Sequence, residues 1–229
     1  MLDFMPAKGK CCNSFLRLLF ASSVVWGVVG CEAERLFGDG DKMQTAINQN
    51  VYNYTRYDFI DIVHQDAAER WDISRATRGG ATFADEANIQ ELGSGIIFHA
   101  EEMLCCIRWR PVTGKDVILR VKWLAVFDRP AYEKALSLND ERHVKASLAG
   151  SQWCEALVTV SKPYPVDPDV FSLHFMPDGT LQAYVSKFKE SGPLPVDAVL
   201  KHTPTSGPVL CQTPTSNPFY GIPRPAHRE

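Results

Sequence analysis

The sequence predicts a mainly β protein with minor helix, folded as one antiparallel, sandwich-like domain. Three observations lead there. Strand-length segments alternate apolar with polar residues, clusters of turn residues separate them, and about two hundred residues follow an amino-terminal apolar segment, which suits one domain with a real core.

Residues 1–30 read as a signal peptide. Lys8, Lys10 and Arg17 form a basic start, and residues 18–30 are apolar but interrupted by Ser22, Ser23 and glycines. That run is shorter than the roughly 20 apolar residues needed to cross a bilayer. It ends in Val28-Val29-Gly30-Cys31, which resembles the lipobox of bacterial lipoproteins. In such signals the cysteine thiol receives a diacylglyceryl group, cleavage precedes it, and the new amine is acylated, as with palmitate. Each buried methylene contributes ~0.8 kcal/mol, so several chains on Cys31 make a stable membrane anchor. Glu32 stands where inner-membrane retention usually has Asp, so the expected address is the periplasmic face of the outer membrane.

Cleavage removes three basic residues and one acidic from totals of 24 and 27, leaving 21 against 26 and a formal charge of −5. Such a chain is a poor binder of nucleic acid, whose phosphates require Lys and Arg.

Residues 31–50 read as a tether with a short helix, broken by Gly38-Asp39-Gly40-Asp41. The β-rich domain is expected over 51–190. "VYNYTRYDFIDIVHQD" reads as a half-buried strand; Asn53-Tyr54-Thr55 within it matches a glycosylation sequon, to which a bacterial lipoprotein lends no weight. Residues 66–93 show little periodicity and read as a long surface loop. "SGIIFHAEEMLCCIRWRPVTGKDVILRVKWLAVFD" reads as a hairpin turning at residues 111–114. Residues 129–150 are partly helical, with Ala131, Ala135 and Leu138 at helical spacing. "WCEALVTVSKPY" returns to strand, and "VFSLHFMPDGTLQAYVSKF" is a hairpin whose Pro177-Asp178-Gly179 turn uses the glycine for positive φ. The tail, 191–229, is dense in proline and is expected to be extended, edge-hugging or disordered.

Four cysteines remain beyond Cys31: Cys105, Cys106, Cys154 and Cys211. In an oxidising compartment an even number suggests disulfides. The favoured pairing joins Cys105 or Cys106 to Cys154 or Cys211, since closing a long loop restricts the unfolded chain most; buried free thiols are the alternative. No cofactor or metal is expected, because His99 and His174 have no ligand partner at zinc spacing. Catalysis is not expected either: Ser94 in "ELGSGIIF" lacks the G-x-S-x-G spacing, and Glu101 and Glu102 are neighbours on a strand. Asp85, Glu86, Glu101 and Glu102 form an acidic group beside the long loop, which is either a solvated face or a steering patch for a basic partner.

Several segments in order, "YNYTRYDF", "LCCIRWRP", "VILRVKW", "WCEALVTVSKPY" and "FSLHFMPDGTLQAYVS", resemble a family of small bacterial lipoproteins over residues 51–187. Members of that family are similar to Tli-like immunity proteins, the partners of type VI secretion phospholipase effectors. Cys154 and the segment "SKFKESGPLP" depart from the family pattern. The resemblance implies a lipid-anchored protein that binds a phospholipase effector and protects the cell's own membrane. Trp71, Arg75 and Arg78 in the long loop, with the acidic group, are the expected contact residues, since aromatic and arginine side chains usually dominate such interfaces. The other reading is a structural lipoprotein of an envelope or secretion assembly.

Overall fold

A computed structural model describes residues 45–84, 90–93, 96–109, 115–205 and 209–223. Two five-stranded sheets face each other. The first is ordered β4-β5-β1-β8-β9, with β1 Thr45–Asn53, β4 Gln90–Gly93, β5 Ile96–Trp109, β8 Val170–Phe175 and β9 Leu181–Ser186. The second is ordered β10-β7-β6-β2-β3, with β2 Asp58–Asp66, β3 Thr77–Arg78, β6 Ile118–Val126, β7 Ser151–Thr159 and β10 Thr213–Pro214. All pairs are antiparallel except β1 with β8. The mainly β, sandwich-like expectation therefore holds, with one parallel pair inside it. An isolated bridge between Val160 and Ala183 joins the sheets along one side.

Period-2 alternation builds the interior. Leu119, Val121, Trp123 and Ala125 of β6 face Phe171, Leu173 and Phe175 of β8 and Ile47 and Val51 of β1, all in one core cluster. Phe59 of β2 packs at 4.8 Å from Phe175 and 6.2 Å from Trp123, centroid to centroid, and Trp123 meets Phe175 edge-on at 5.2 Å. Such aromatic pairs contribute ~1 kcal/mol each beyond their burial.

The stretch expected as one strand over 51–66 is two strands in opposite sheets. The break is chemical. Asn53 Oδ1 accepts from Thr55 N at 2.9 Å and Thr55 Oγ1 at 2.8 Å, its Nδ2 donates to Tyr57 O at 2.8 Å, and Tyr57 N donates to Thr55 Oγ1 at 3.1 Å. Tyr54 N still donates to Phe175 O at 3.0 Å; beyond it this local network replaces ladder bonds over residues 55–57 and turns the chain into the second sheet. It also buries the sequon residues Asn53 and Thr55.

The expected hairpin over 96–126 is corrected in the same way. β5 pairs with β1 and β4, whereas β6 pairs with β2 and β7, so the two strands belong to different sheets; the turn expected at 111–114 lies outside the described residues. Alternation reports that a strand has a buried face; it does not report which sheet receives the strand. Of the stretch 31–50 expected to hold a tether and short helix, residues 45–50 are instead the start of β1, paired to both β5 and β8, and residues 31–44 lie outside the described ones.

The β8–β9 hairpin matches expectation. Gly179 has φ +77, and a Cβ there would lie 3.1 Å from Cys211 Cα. One helix, α1 Arg129–Leu138, forms where helical spacing was read. Asp128 caps it by accepting from Ala131 N at 3.1 Å, and Pro130 suits the first turn, where an N–H has no helical acceptor. Its buried face centres on Tyr132 and Ala135, while Leu138 is 73% exposed, contrary to the expected Ala131–Ala135–Leu138 face. Gly150 (φ +75) lies so close under the helix start that a Cβ would meet Asp128 O at 2.2 Å.

The proline-rich tail is more ordered than expected. A second short helix, α2 Val196–Leu200, buries Val199 against Tyr52, Tyr54, Phe98 and Met176 on the outer face of the first sheet. Further on, Phe219 packs at 5.8 Å from Trp153 on the outer face of the second. Between them, Cys211 forms a disulfide with Cys154. This pairing overturns the expected bond from Cys105 or Cys106 to either of them. The reason lies in β10, which hydrogen-bonds the tail along the edge of β7 with Pro214 opposite Cys154, and so carries Cys211 to within 5.8 Å, Cα to Cα.

The bond spans 57 residues, and closing a loop of that length is worth about 4 kcal/mol in the chain-entropy account. Reduction of the full chain should therefore lower its urea-unfolding free energy by about 2–4 kcal/mol, and a Cys211→Ser variant should be insensitive to reductant.

Candidate functional site

Both sheets have an outer face that something must cover. On the second sheet α1 and the residues around Phe219 cover half: Val63, Leu124, Val126, Tyr132, Leu148, Trp153 and Phe219 form a second apolar cluster. Cover is incomplete beside β2. A groove of about 510 Å³ opens there, lined among others by Ile60, Asp61, Arg78, Phe83, Leu136 and Phe219.

A β-bulge shapes its floor. The β2–β6 register shifts between Ile60 and Val63, and Asp61 sits at φ +49, the left-handed region that Asp tolerates better than most residues. The bulge turns Ile60 and Val63 outward while Phe59 and Ile62 enter the interior. The signal was present in "FIDIV", where apolar residues flank the aspartate in pairs and alternation fails.

The rim carries Phe83, 45% exposed, with the Arg129 guanidinium 5.9 Å from its ring centroid. Arg129 also binds Asp58 through Nε–Oδ2 and Nη2–Oδ1, both 2.8 Å, and Asp58 Oδ1 accepts from Ala84 N at 2.7 Å. This two-pronged pair ties the start of α1 to the start of β2 and fixes the groove's width. Burial raises the pKa of Tyr132, reinforced by the charges of Glu141 and Asp61, so it stays a neutral phenol.

The sequence-predicted residues divide among several places. Arg78, in β3 opposite Val63, stacks its guanidinium 5.8 Å from the Phe219 centroid and lines the groove. Trp71 is half-buried against the same outer cluster, with Lys122 Nζ 4.7 Å from its ring; Lys122 binds Glu155 at 3.0 Å and Arg120 lies 3.4 Å from the same carboxylate. Arg75 forms an exposed ion pair with Glu69 at 3.2 Å. The structure thus brings Trp71 and Arg78 to one outer face and spends part of each on internal packing. Glu101 and Glu102 lie in β5 opposite Val51 and Asn50. Cys105 and Cys106 lie where the β1–β5 register jumps from Ile47–Ile107 to Gln49–Met103. Cys31, Asp85 and Glu86 lie outside the described residues.

Three of the described histidines are engaged as follows. His64, between the sheets, has Nε2 3.1 Å from Gln49 Oε1, and burial lowers its pKa to about 4. His174 stacks on Tyr52 at 4.7 Å; Leu194 N donates to Tyr54 Oη, which lies 3.0 Å from His174 Nδ1, and burial lowers that histidine's pKa to about 3. His202 Nδ1 meets Asp178 Oδ2 at 2.8 Å, and its Nε2 is hydrogen-bonded by Gln182 Nε2 at 2.9 Å. A base in a hydrolytic triad would present that nitrogen to a nucleophile; here an amide occupies it, and Tyr184 holds the amide from behind. Burial opposes ionisation of Asp178, but the hydrogen bonds from Thr180 and His202 outweigh it and lower its pKa. The trio latches the end of α2 to the β8–β9 turn.

His64 and His174 have folded pKa values below the usual 6.5. The unfolded chain therefore binds protons that the native state refuses, so stability is full above pH 6.5 and falls as pH drops toward 4. Either histidine alone should cost roughly 3 kcal/mol over that interval, and His64→Gln should flatten the slope in a pH series of urea titrations. Comparison with protein-family models, with curated proteins and with solved structures returns no match to this chain.

Proposed function

We propose that the chain is a binding protein held at the cell envelope through an acylated Cys31, and that it neutralises a secreted phospholipase effector by covering the opening to its catalytic cleft. The lipobox and the ordered resemblance of residues 51–187 to immunity-type lipoproteins support the class. The observation that carries the binding role is the half-open apolar groove beside β2, with Phe83 and Arg78 at its rim and Asp61 on its floor. A sheet face left partly uncovered, with aromatic and arginine side chains around it, has the composition of a contact surface.

The mechanism is steric. A stable block needs about 1,600 Å² of total buried surface, which exceeds the groove and extends to the neighbouring Trp71–Lys122–Glu155 surface. Phospholipid then cannot enter the enzyme, and no chemistry is asked of the inhibitor.

The test is capture of a co-expressed phospholipase effector encoded beside this protein, followed by lipid-hydrolysis assays with the purified complex. Leu136→Asp places a charge at the groove and should weaken inhibition by at least about tenfold, with Arg78→Ala acting in the same direction. Asp61→Gly suits the backbone at φ +49 and keeps the fold while removing the carboxylate. Full inhibition by all three variants would exclude the groove. A chain required for secretion even in cells lacking the effector would support the structural-assembly reading instead.

A further inference from the structure

The tether joins the sandwich at a definite end. β1 begins at Thr45, and near it Asn48 pairs with Val170 at the start of β8, its N–H donating to Asp169 O at 2.9 Å. β9 finishes there, with Ser186 opposite Val170. β7 runs parallel to β9 at the Val160–Ala183 bridge and finishes at the same end, with Thr159 opposite Ile118 at the start of β6. The start of β7, α1 and the groove belong to the other end.

Exposed apolar side chains gather at the tether end. The loop 161–169 carries Pro163, Pro165 and Pro168, and Val166 at its tip is 93% exposed. Phe188, 56% exposed, stands beside that loop, its N–H donating to Asp169 Oδ2 at 3.3 Å, and Lys187 Nζ donates to Asp167 O. Leu157, 63% exposed, and Ile118, 41% exposed, lie on neighbouring strands of the second sheet toward the same end. Single exposed apolar residues need no explanation; four sharing the end at which the chain arrives from its anchor do. Lys115, Lys162, Lys187 and Lys189, with Arg108 opposite Ala46 near the start of β1, are offset at this end by Asp66, Asp116, Asp167, Asp169 and Glu190. The attraction this end can offer is therefore apolar insertion, not that of a polybasic patch.

We propose that this end is a lipid-contacting surface: Val166 and Phe188 enter the boundary between headgroups and acyl chains of the bilayer that holds Cys31. The inference rests on the anchor reading above. Fourteen residue steps separate positions 31 and 45, a reach of up to about 50 Å when extended. The tether thus permits contact without enforcing it, and it raises the local concentration of bilayer enough for two side chains to matter. Seated this way, the sandwich stands upright with the groove on a lateral face, in the half nearer α1 and farther from the membrane, open to a soluble effector.

The test uses the full mature chain from bacterial membranes, reconstituted in phosphatidylethanolamine–phosphatidylglycerol vesicles without effector. Intact mass first reports whether residue 31 is acylated. Amide hydrogen exchange then compares wild type with a Val166→Asp, Phe188→Asp double variant and with the milder Val166→Ser, Phe188→Ser pair. Wild-type amides in 161–169 and 186–190 should exchange at least several-fold more slowly than in either variant, with residues 129–138 alike in all three. Equal exchange in an acylated chain overturns the lipid contact and leaves the anchor standing. An unmodified residue 31 overturns both. Protection that arises only on adding effector makes this end a protein contact and also overturns the proposal.

Discussion

Phe59, Trp123 and Phe175 meet where the two sheets face each other, and the remaining architecture depends on that contact. Phe59 follows the Asn53–Tyr57 turn directly, so the side chain that enters the aromatic group is also the first apolar residue of the second sheet. A chain that failed to turn there would carry β2 on in the plane of β1, leaving Trp123 and Phe175 without their third ring. The buried Asn53 amide, which spends both its atoms on this turn and reaches Thr82 Oγ1 at 3.2 Å, is thus coupled to the packing of the whole interior.

Once the interior is closed, the two outer faces are finished by different means. Tyr52, Tyr54 and Met176 on the first sheet receive α2, which the Asp178–His202–Gln182 latch holds in place. The second sheet receives α1 and Phe219, held by the Asp58–Arg129 pair and the Cys154–Cys211 bond. The bulge at Asp61 forms the floor of a groove that this cover leaves open beside β2. That incomplete cover is the feature on which the proposed binding role rests.

Much of the fold was legible in the residues. Val121 and Trp123 alternate with Arg120 and Lys122 as a half-buried strand must, Pro177-Asp178-Gly179 marks its hairpin, and Asp128 with Pro130 marks a helix start. The site was legible only in part. Arg78 and Trp71 were identified by type, as residues common in interfaces, but Phe219 and Leu136 were not, because they reach the groove from segments 58 residues and more beyond Arg78. Ala131 and Leu138 have the right spacing for a buried helical face and lose it to Tyr132, since the angle at which a helix docks is set by its neighbours.

The sequence by itself determined most strand-forming segments, the Pro177-Asp178-Gly179 turn and the helix over 129–138, because each is a matter of neighbouring residues whose spacing and turn chemistry act locally. Only the tertiary structure decided that β1 and β2 lie in opposite sheets, that β5 and β6 do not form a hairpin, and that Cys154 bonds Cys211. Those outcomes depend on which apolar faces meet across the interior, and local alternation is the same for every partner a strand could take.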